Sequence, residues 1–525
     1  MLRIAGELGL AATVALPLLN AAIAVATRSR RGLRGSSALA WMATAGALLA
    51  LITVAVDGGF RVGLGGTTSP AQLLADHLTS TLALFISGVG ALVRSFSSRY
   101  LSQDDRAWRF AAGADLVVAS MVVVATAANI SLIAIAWMAA GVSFAAVLGY
   151  RRDLPGASRA AKTALVHFVA VDAALLIGVT LVVSKLGNLP LGGGGGLARA
   201  ASHLGVMAIP VAALATLAAL TRSAQGPVGR WLPATIAAPT PASALLHAGV
   251  VNGGGILLVR LAGLAQGSAW VVGAALAIAI ATAAVATRLM RHRADVKGEL
   301  AYSTVAQMAF MTAEASVGAY LATLVHLMGH GAFKATLFLS SGSRVRRGQH
   351  QIAHEAQGGL IERVAMAAAA GAATLVALMA LGSTTDNRAG YVLAAFAAAT
   401  AASAAWTFTR HRPEPRTARA VAMVAMVAAA FAYGGALSIL GGWLTPSLPV
   451  PAHGALAPVW LLAIAGLSAM AGLAGRRGRL ESSLTAWSID AATATVTRER
   501  APGFLLSLRS GASDPDLELE EGDAA

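Results

Sequence analysis

Apolar residues run along this chain in blocks of about twenty, divided by short polar punctuation, from one end to the other. A block of that length matches the ~30 Å hydrocarbon core that a membrane-crossing helix must traverse. The pattern predicts about fifteen spans, at residues 6–26, 37–56, 73–93, 112–128, 130–150, 163–184, 201–221, 240–264, 269–288, 299–315, 319–341, 363–382, 389–409, 419–440 and 456–475. The fold class is therefore all-α, a polytopic membrane helical bundle. One stretch cannot be a regular helix. Between Arg222 and Pro241 lie Pro227, Pro233, Pro239 and Pro241, each lacking the amide hydrogen that a helix interior uses. Broken backbone at membrane depth is tolerated where it is packed in protein or lines a watery cavity; the plainer alternative is a re-entry loop.

The charges between the blocks alternate. Basic connections (Arg28 to Arg34; Arg94, Arg99, Arg106 and Arg109; Arg151 to Lys162; Arg222 and Arg230; Arg288 to Lys297; Arg344 to Arg347; Arg410 to Arg419; Arg476 to Arg479) are separated by short or nearly uncharged ones. A wrong span count would break this alternation partway. The positive-inside rule then places the N-terminus outside and the C-terminus in the cytoplasm, in a multi-pass protein of the cell (inner) membrane. The first block, Leu8 to Ala26, is longer than a typical signal core and reads as a retained helix.

Composition agrees. Of 525 residues, 57% are hydrophobic and 12% charged, about half the charge of a soluble domain. The formal charge of +15 reads as basic loops beside a lipid bilayer, not as a nucleic-acid surface. Without cysteine there is no disulfide, thiolate metal site or iron–sulfur cluster. The glycine run at Gly192 to Gly196 lacks the Lys-Ser/Thr of a phosphate loop and reads as linker.

Polar groups inside the spans carry the chemistry, because each is costly there. His326, His330 and Lys334 are four residues apart and share one helix face. Two imidazoles and an amine in line can pass a proton, since His titrates near neutrality and desolvation brings a Lys toward it. The alternatives are interhelical hydrogen bonding, or zinc on His326 and His330, for which no third ligand is evident. The chain has four lysines, Lys162, Lys185, Lys297 and Lys334, and otherwise uses arginine, which does not release its proton. Lys297 stands before Glu299 at the start of a span and could equally be one more positive-inside residue. Asp172 lies in the sixth span, with His167 before it. His247 and Asn252 follow the proline-rich break. Glu314, near an outer helix end, reads as solvated.

Three segments carry a family resemblance: Pro239-Thr240-Pro241 through Ser243 to Ala248, Lys297 with Leu300 to Thr304, and His326-Leu327-Met328-Gly329-His330 with Lys334. In this order they resemble the antiporter-like subunits of respiratory complex I and of Mrp-type antiporters, over roughly residues 75 to 345. The wording at His247 to Gly254 and at Leu339 to Ser343 is similar to the membrane subunits of DAB inorganic-carbon pumps. The resemblance implies inverted five-helix repeats, each with a broken helix. It also implies a polar axis of Lys, His and Asp/Glu, and a large soluble DabA-like zinc subunit akin to β-carbonic anhydrases as partner. This chain itself is expected to hold no cofactor, and zinc is expected in the partner. Departures from the complex I pattern are Met138 after Trp137, where a glutamate is usual, Arg222 in place of the seventh-span lysine, and the absence of a lysine near Gly382 to Asp386.

The expected organisation is N-terminal transmembrane helices at 1–110, an antiporter-like proton-conducting core at 111–410, C-terminal transmembrane helices at 411–480, and a cytoplasmic tail at 481–525 whose acidic end reads as disordered. The expected proton pathway is Asp172, Arg222, His247, Lys297, His326, His330 and Lys334. The function implied is proton conduction within an energy-coupled CO2/bicarbonate uptake complex, the chain itself being a transporter subunit and not an enzyme. The rivals are a proton-pumping subunit of an NADH-quinone oxidoreductase, a cation/proton antiporter subunit and a non-conducting scaffold.

Overall fold

The computed structural model describes residues 1–340, 360–380 and 416–450, apart from 29–31, 64–70, 193–195, 236–237, 292 and 294, together with positions 398, 401–402 and 405. All of them fall in one unit, Met1–Ile464. The spans expected at 389–409 (beyond those isolated positions) and 456–475, and the tail at 481–525, lie outside the described residues.

Helices follow the apolar blocks because a backbone without water must bond to itself. Helix α1 (Leu2–Thr27) packs along α2 (Gly32–Asp57), where Thr13 Oγ1 donates to the Ala43 carbonyl at 3.2 Å. Next come α3 (His77–Tyr100), α4 (Ala107–Thr126), α5 (Ile130–Leu148) and α6 (Pro155–Leu186). Asp76 caps α3 through Thr79 in a reciprocal pair of 2.8 Å bonds, and Asn129 caps α5 through the Leu132 amide at 2.9 Å. Helix α6 begins about two turns before the expected 163, because Pro155 is well placed in a first turn. Short α7 (Gly196–Ser202) precedes α8 (Ala208–Arg222).

The proline-rich stretch folds into two tight turns, Val228–Trp231 and Pro233–Thr235. It is not a solvent-facing loop: Trp231 and Leu232 are fully buried, and Trp231 Nε1 donates to the Thr221 carbonyl at 2.8 Å. The span expected at 240–264 is itself divided. Helix α9 (Thr240–Leu245) passes into one π-helical turn at Leu246–Val250, then α10 (Gly253–Arg260) and α11 (Ala262–Ala265). Helices α12 (Ala269–Arg291), α13 (Val296–Ser316) and α14 (Tyr320–Leu339) follow, and two more run at Leu360–Ala380 and Arg416–Leu444.

Among the described residues ten helices are long and apolar enough to cross a membrane. Helices α13 and α14 are not among those ten although they hold 21 and 20 residues. Their Lys, His, Glu and Gln side chains pull their hydropathy down, so the two helices least like lipid anchors bear the densest chemistry.

Contacts between connections test the alternation directly. Arg106 pairs with Asp153, Arg151 pairs with Asp104 and Asp153, and Arg28 lies over the Trp108 ring. The first, third and fifth connections thus share one end. At the other end a two-stranded ribbon, β1 (Phe60–Gly63) against β2 (Gln72–Ala75), bridges from Leu73 to Ala127, and Asn129 bridges to Pro190. The second, fourth and sixth connections therefore meet there. This ribbon is the one departure from all-α among the described residues.

Arg94 corrects the loop-charge reading. It is not a loop residue but sits buried on α3, where its Nε donates to Asp115 Oδ1 of α4 at 2.9 Å.

Candidate functional site

Among the described residues, the expected pathway groups other than Lys297 form two polar clusters inside the bundle. The first joins Arg222 at the end of α8 to Asp172 in the middle of α6, Nη2 to Oδ2 at 2.6 Å, with both side chains buried. The same Nη2 donates to the Trp137 carbonyl at 3.1 Å. The guanidinium lies 4.3 Å from the Trp137 ring centre and 4.6 Å from that of Phe168, so aromatic faces hold the cation where Nε and Nη1 find no protein acceptor. Gly141 of α5 provides the room: a Cβ there would stand 2.8 Å from Arg222 Nη2 and 2.9 Å from Asp172 Oδ2. The cation partner of Asp172, which the sequence left open, is thus Arg222. His167 takes no part; its Nδ1 bonds the Thr163 carbonyl one turn back.

The second cluster is built on α14. The rings of His326 and His330 are 6.2 Å apart and nearly perpendicular, the spacing that one four-residue step of about 6 Å produces. His326 is bound from both sides on α13, Nδ1 to Glu314 Oε2 and Nε2 to Gln307 Oε1, each at 3.0 Å. Both ring nitrogens of His326 are therefore engaged by side chains of α13.

His330 is buried and its Nδ1 meets Asn252 Oδ1 at 3.3 Å. The Asn252 amide nitrogen faces two carbonyls, Ala248 at 2.8 Å and Leu327 at 3.4 Å. That fixes which end of the amide faces His330, so Nδ1 carries the ring hydrogen and Nε2 keeps the lone pair. Nε2 is buried without a protein partner.

Lys334 is 1% exposed, and its Nζ donates to the Leu300 carbonyl of α13 at 3.1 Å. His247 is carried on the π-helical turn, stacked on Phe338 with ring centres 4.4 Å apart and 7° between planes. Single π-helical turns are often found at functional sites; this one widens the backbone where His247 and Asn252 approach α14. Gly331 allows that approach, since a Cβ there would lie 2.9 Å from the Ala248 carbonyl and 3.0 Å from Asn252 Nδ2.

Of the seven expected pathway residues, the structure gathers His247, His326, His330 and Lys334 around α14 and pairs Asp172 with Arg222 separately. Lys297 stands apart from both sets, its Nζ on the Ala238 carbonyl at 2.9 Å, where it ties α13 to the proline-rich turns. Between the clusters, Ser223 Oγ donates to the Val251 carbonyl at 3.2 Å. Glu314 overturns an expectation: it is 5% exposed, not solvated, and it binds the outermost histidine. Its place near a helix end concealed this, while its position twelve residues before His326, across a short turn, was the available signal. Arg94, Asp115 and Arg260 were also missed. Arg260, buried at the end of α10, donates to the Ala127 carbonyl.

The transmembrane family described as NADH:quinone oxidoreductase/Mrp antiporter matches residues 127–409, and the N-terminal family of complex I chain 5 matches 62–111. The chain is 32% identical over 344 residues to the probable inorganic carbon transporter subunit DabB1 of Halothiobacillus neapolitanus, a match covering 63% of this chain and 60% of that one. It is 34% identical over 352 residues to NADH-quinone oxidoreductase subunit L of Mycobacterium tuberculosis, covering 63% and 54%. These matches thus span less than two thirds of either relative's length. Its fold is similar to that of the Mrp complex from Dietzia sp. DQ12-45-1b, with a TM-score of 0.62 and 23% identity over 95% of this chain and 61% of that one. The chain belongs to the NADH:quinone oxidoreductase/Mrp antiporter transmembrane family.

Proposed function

We propose that this chain is the proton-conducting membrane subunit of an energy-coupled inorganic-carbon uptake complex. The observation that carries the reading is the His326–His330–Lys334 face, whose buried amine hydrogen-bonds a carbonyl and lies within electrostatic reach of the Glu299 carboxylate. An ammonium whose hydrogen bond goes to a carbonyl is not locked into a contact ion pair, and His330 keeps an Nε2 lone pair that can accept a proton. The Arg222–Asp172 pair acts differently. Guanidinium does not release a proton, so this pair is a fixed, internally neutral element that sets the field of the earlier half. Asp172 and Arg222 then flank the route, and His247, His326, His330 and Lys334 carry it. Lys297 holds the proline-rich turns at its mouth.

The carbon-uptake assignment is supported by the similarity to the probable inorganic carbon transporter subunit DabB1 and by the segments His247 to Gly254 and Leu339 to Ser343. A large soluble zinc subunit resembling a carbonic anhydrase completes the proposed complex and uses the proton flow to drive CO2 to bicarbonate. The clustering of Arg28, Arg106 and Arg151 at one end supports a cytoplasmic location for that end and an external N-terminus in the cell membrane; a cytoplasmic C-terminus is proposed from the alternation of loop charge along the sequence. The similarity to NADH-quinone oxidoreductase subunit L favours a second reading, a pumping subunit of a redox complex. Co-expression with the adjacent gene in a carbonic-anhydrase-deficient strain separates them. Growth in ambient air is expected, and well-expressed protein without growth would sink the carbon-uptake reading.

A further inference from the structure

Glu314 stands in the last turn of α13 and its carboxylate bonds His326 Nδ1 at 3.0 Å. The other nitrogen of the same ring faces Gln307 Oε1 at 3.0 Å. A neutral imidazole has one N–H, so it can donate to only one of two oxygens; an imidazolium donates to both. The ring and the carboxylate therefore share a proton site. An ionised carboxylate accepts from an Nδ1–H of the ring, and a protonated carboxyl donates to a bare Nδ1.

The position of this pair in the bundle matters as much as its chemistry. Helices α13 and α14 are joined by a short turn at Val317 to Ala319 and run antiparallel. Glu314 meets His326 near that turn, whereas Leu300 meets Lys334 toward the opposite end. From His326 to Lys334 the α14 face advances eight residues, about 12 Å, roughly two fifths of a ~30 Å hydrocarbon core. The groups form a ladder: Glu314, His326, then His330 one step on, then Lys334. His326 is the partly exposed member, at 13%, while Glu314, His330 and Lys334 are buried. The charged and titratable groups facing Glu314 are His326 from α14 and Tyr433 from the helix Arg416–Leu444.

We propose that Glu314 and His326 together form the terminal proton-exchange site of the α14 ladder, at the end of the bundle that carries the α13–α14 turn. The pair loads or unloads one proton, and His330 and Lys334 pass it along the helix face. Atoms balance within the step: a proton leaves the Glu314 carboxyl for His326 Nδ1, or returns, and no redox partner is needed. This inference rests on the proton-conducting reading. The competing explanation is a staple, in which the carboxylate merely holds α13 to α14.

The two differ in what glutamine does. Glu314→Gln keeps an oxygen to accept from His326 Nδ1 but cannot carry a proton. The full-length protein in proteoliposomes, with an imposed pH gradient and a lumenal pH dye, gives the readout. Wild type is expected to conduct. Glu314→Gln, eluting as wild type does on gel filtration, is expected to lose flux by about 10²-fold, the scale of a proton-transfer group. Gln307→Glu in that background, placing a carboxylate on His326 Nε2, is expected to restore part of the flux. Glu314→Gln flux equal to wild type from pH 6 to 9 would leave only the staple. Should Glu314→Gln not be recovered folded, Gln307→Glu alone decides: a displaced pH–flux profile supports the exchange site, and an unchanged one overturns it. A wild-type protein that conducts nothing removes the proton-conducting reading itself, a result distinct from an insensitive Glu314.

Discussion

Lys334 Nζ and the carbonyl oxygen of Leu300 are 3.1 Å apart, and this is the contact that holds a buried amine at the far end of the His326–His330–Lys334 face. A carbonyl stabilises the ammonium without competing for its proton as a carboxylate would. Lys334→Ala should therefore abolish proton flux, by about 10²-fold or more. Lys334→Arg is the sharper variant: it keeps the charge and can reach a carbonyl, yet it cannot release a proton. Both are expected to fail in proteoliposome flux, and a conducting Lys334→Arg protein would remove the releasable proton from the mechanism.

The Arg222–Asp172 pair predicts stability effects first and flux effects second. Asp172→Asn leaves a buried guanidinium without its counter-charge, which costs about 3–5 kcal/mol. The expected signs are poor membrane yield and a lowered thermal midpoint in detergent. Replacing both partners, Arg222→Met with Asp172→Leu, removes the charge altogether and should recover much of the loss. Gly141→Ala should resemble the single variant, because its methyl would press on both charged groups. A double variant no more stable than Asp172→Asn would show that the pair is not what holds α6 to α8.

Much of this arrangement was legible in the residue pattern, and what was not follows a physical rule. Span positions and loop alternation follow from local quantities, apolar run length and loop charge, so they survive without knowledge of packing. The His326–His330–Lys334 face is also local, since residues four apart share a side of any helix. Pairings across helices are not local. Arg94 sits within sequence reach of Arg99 and Arg106, so it reads as loop charge until α4 brings Asp115 to it. Glu314 reads as solvated until α14 folds back. The ribbon at Phe60–Gly63 and Gln72–Ala75 escaped because two four-residue strands leave little periodicity beside twenty-residue helices.

The ion-pair cluster at the arginine-rich end gives a pH prediction outside the membrane. The Arg151 hydrogen bonds hold the Asp153 carboxyl below its ordinary value, with Arg106 adding to the effect. A carboxylate lowered in the folded state stabilises above its unfolded range, and that contribution is lost as pH falls through the folded value. Asp153→Asn should therefore lower the thermal midpoint slightly at neutral pH and not at strongly acid pH. The difference should shrink with salt, because the cluster is exposed. Thermal scans at several pH values and two ionic strengths check it, and a gap that widens in acid would contradict the assignment.

Asn252 gives the last prediction, because it sets the chemistry of a histidine without itself carrying a proton. Its amide nitrogen is committed to the Ala248 and Leu327 carbonyls, so its oxygen must face His330. That leaves His330 Nε2 as the nitrogen able to take a proton from the ladder. Asn252→Leu fills similar space but frees the ring to rotate and to exchange tautomers. Flux should fall by about ten-fold, less than for loss of a relay group itself. Asn252→Asp should behave differently, since a carboxylate there favours the imidazolium and slows release. Its flux should decline most toward higher pH, where the wild-type ring can unload and the variant's ring stays loaded. Nitrogen-15 shifts of the His330 ring read the tautomer independently of transport. A wild-type ring protonated on Nε2 instead of Nδ1 would reverse the assigned direction of transfer through His330.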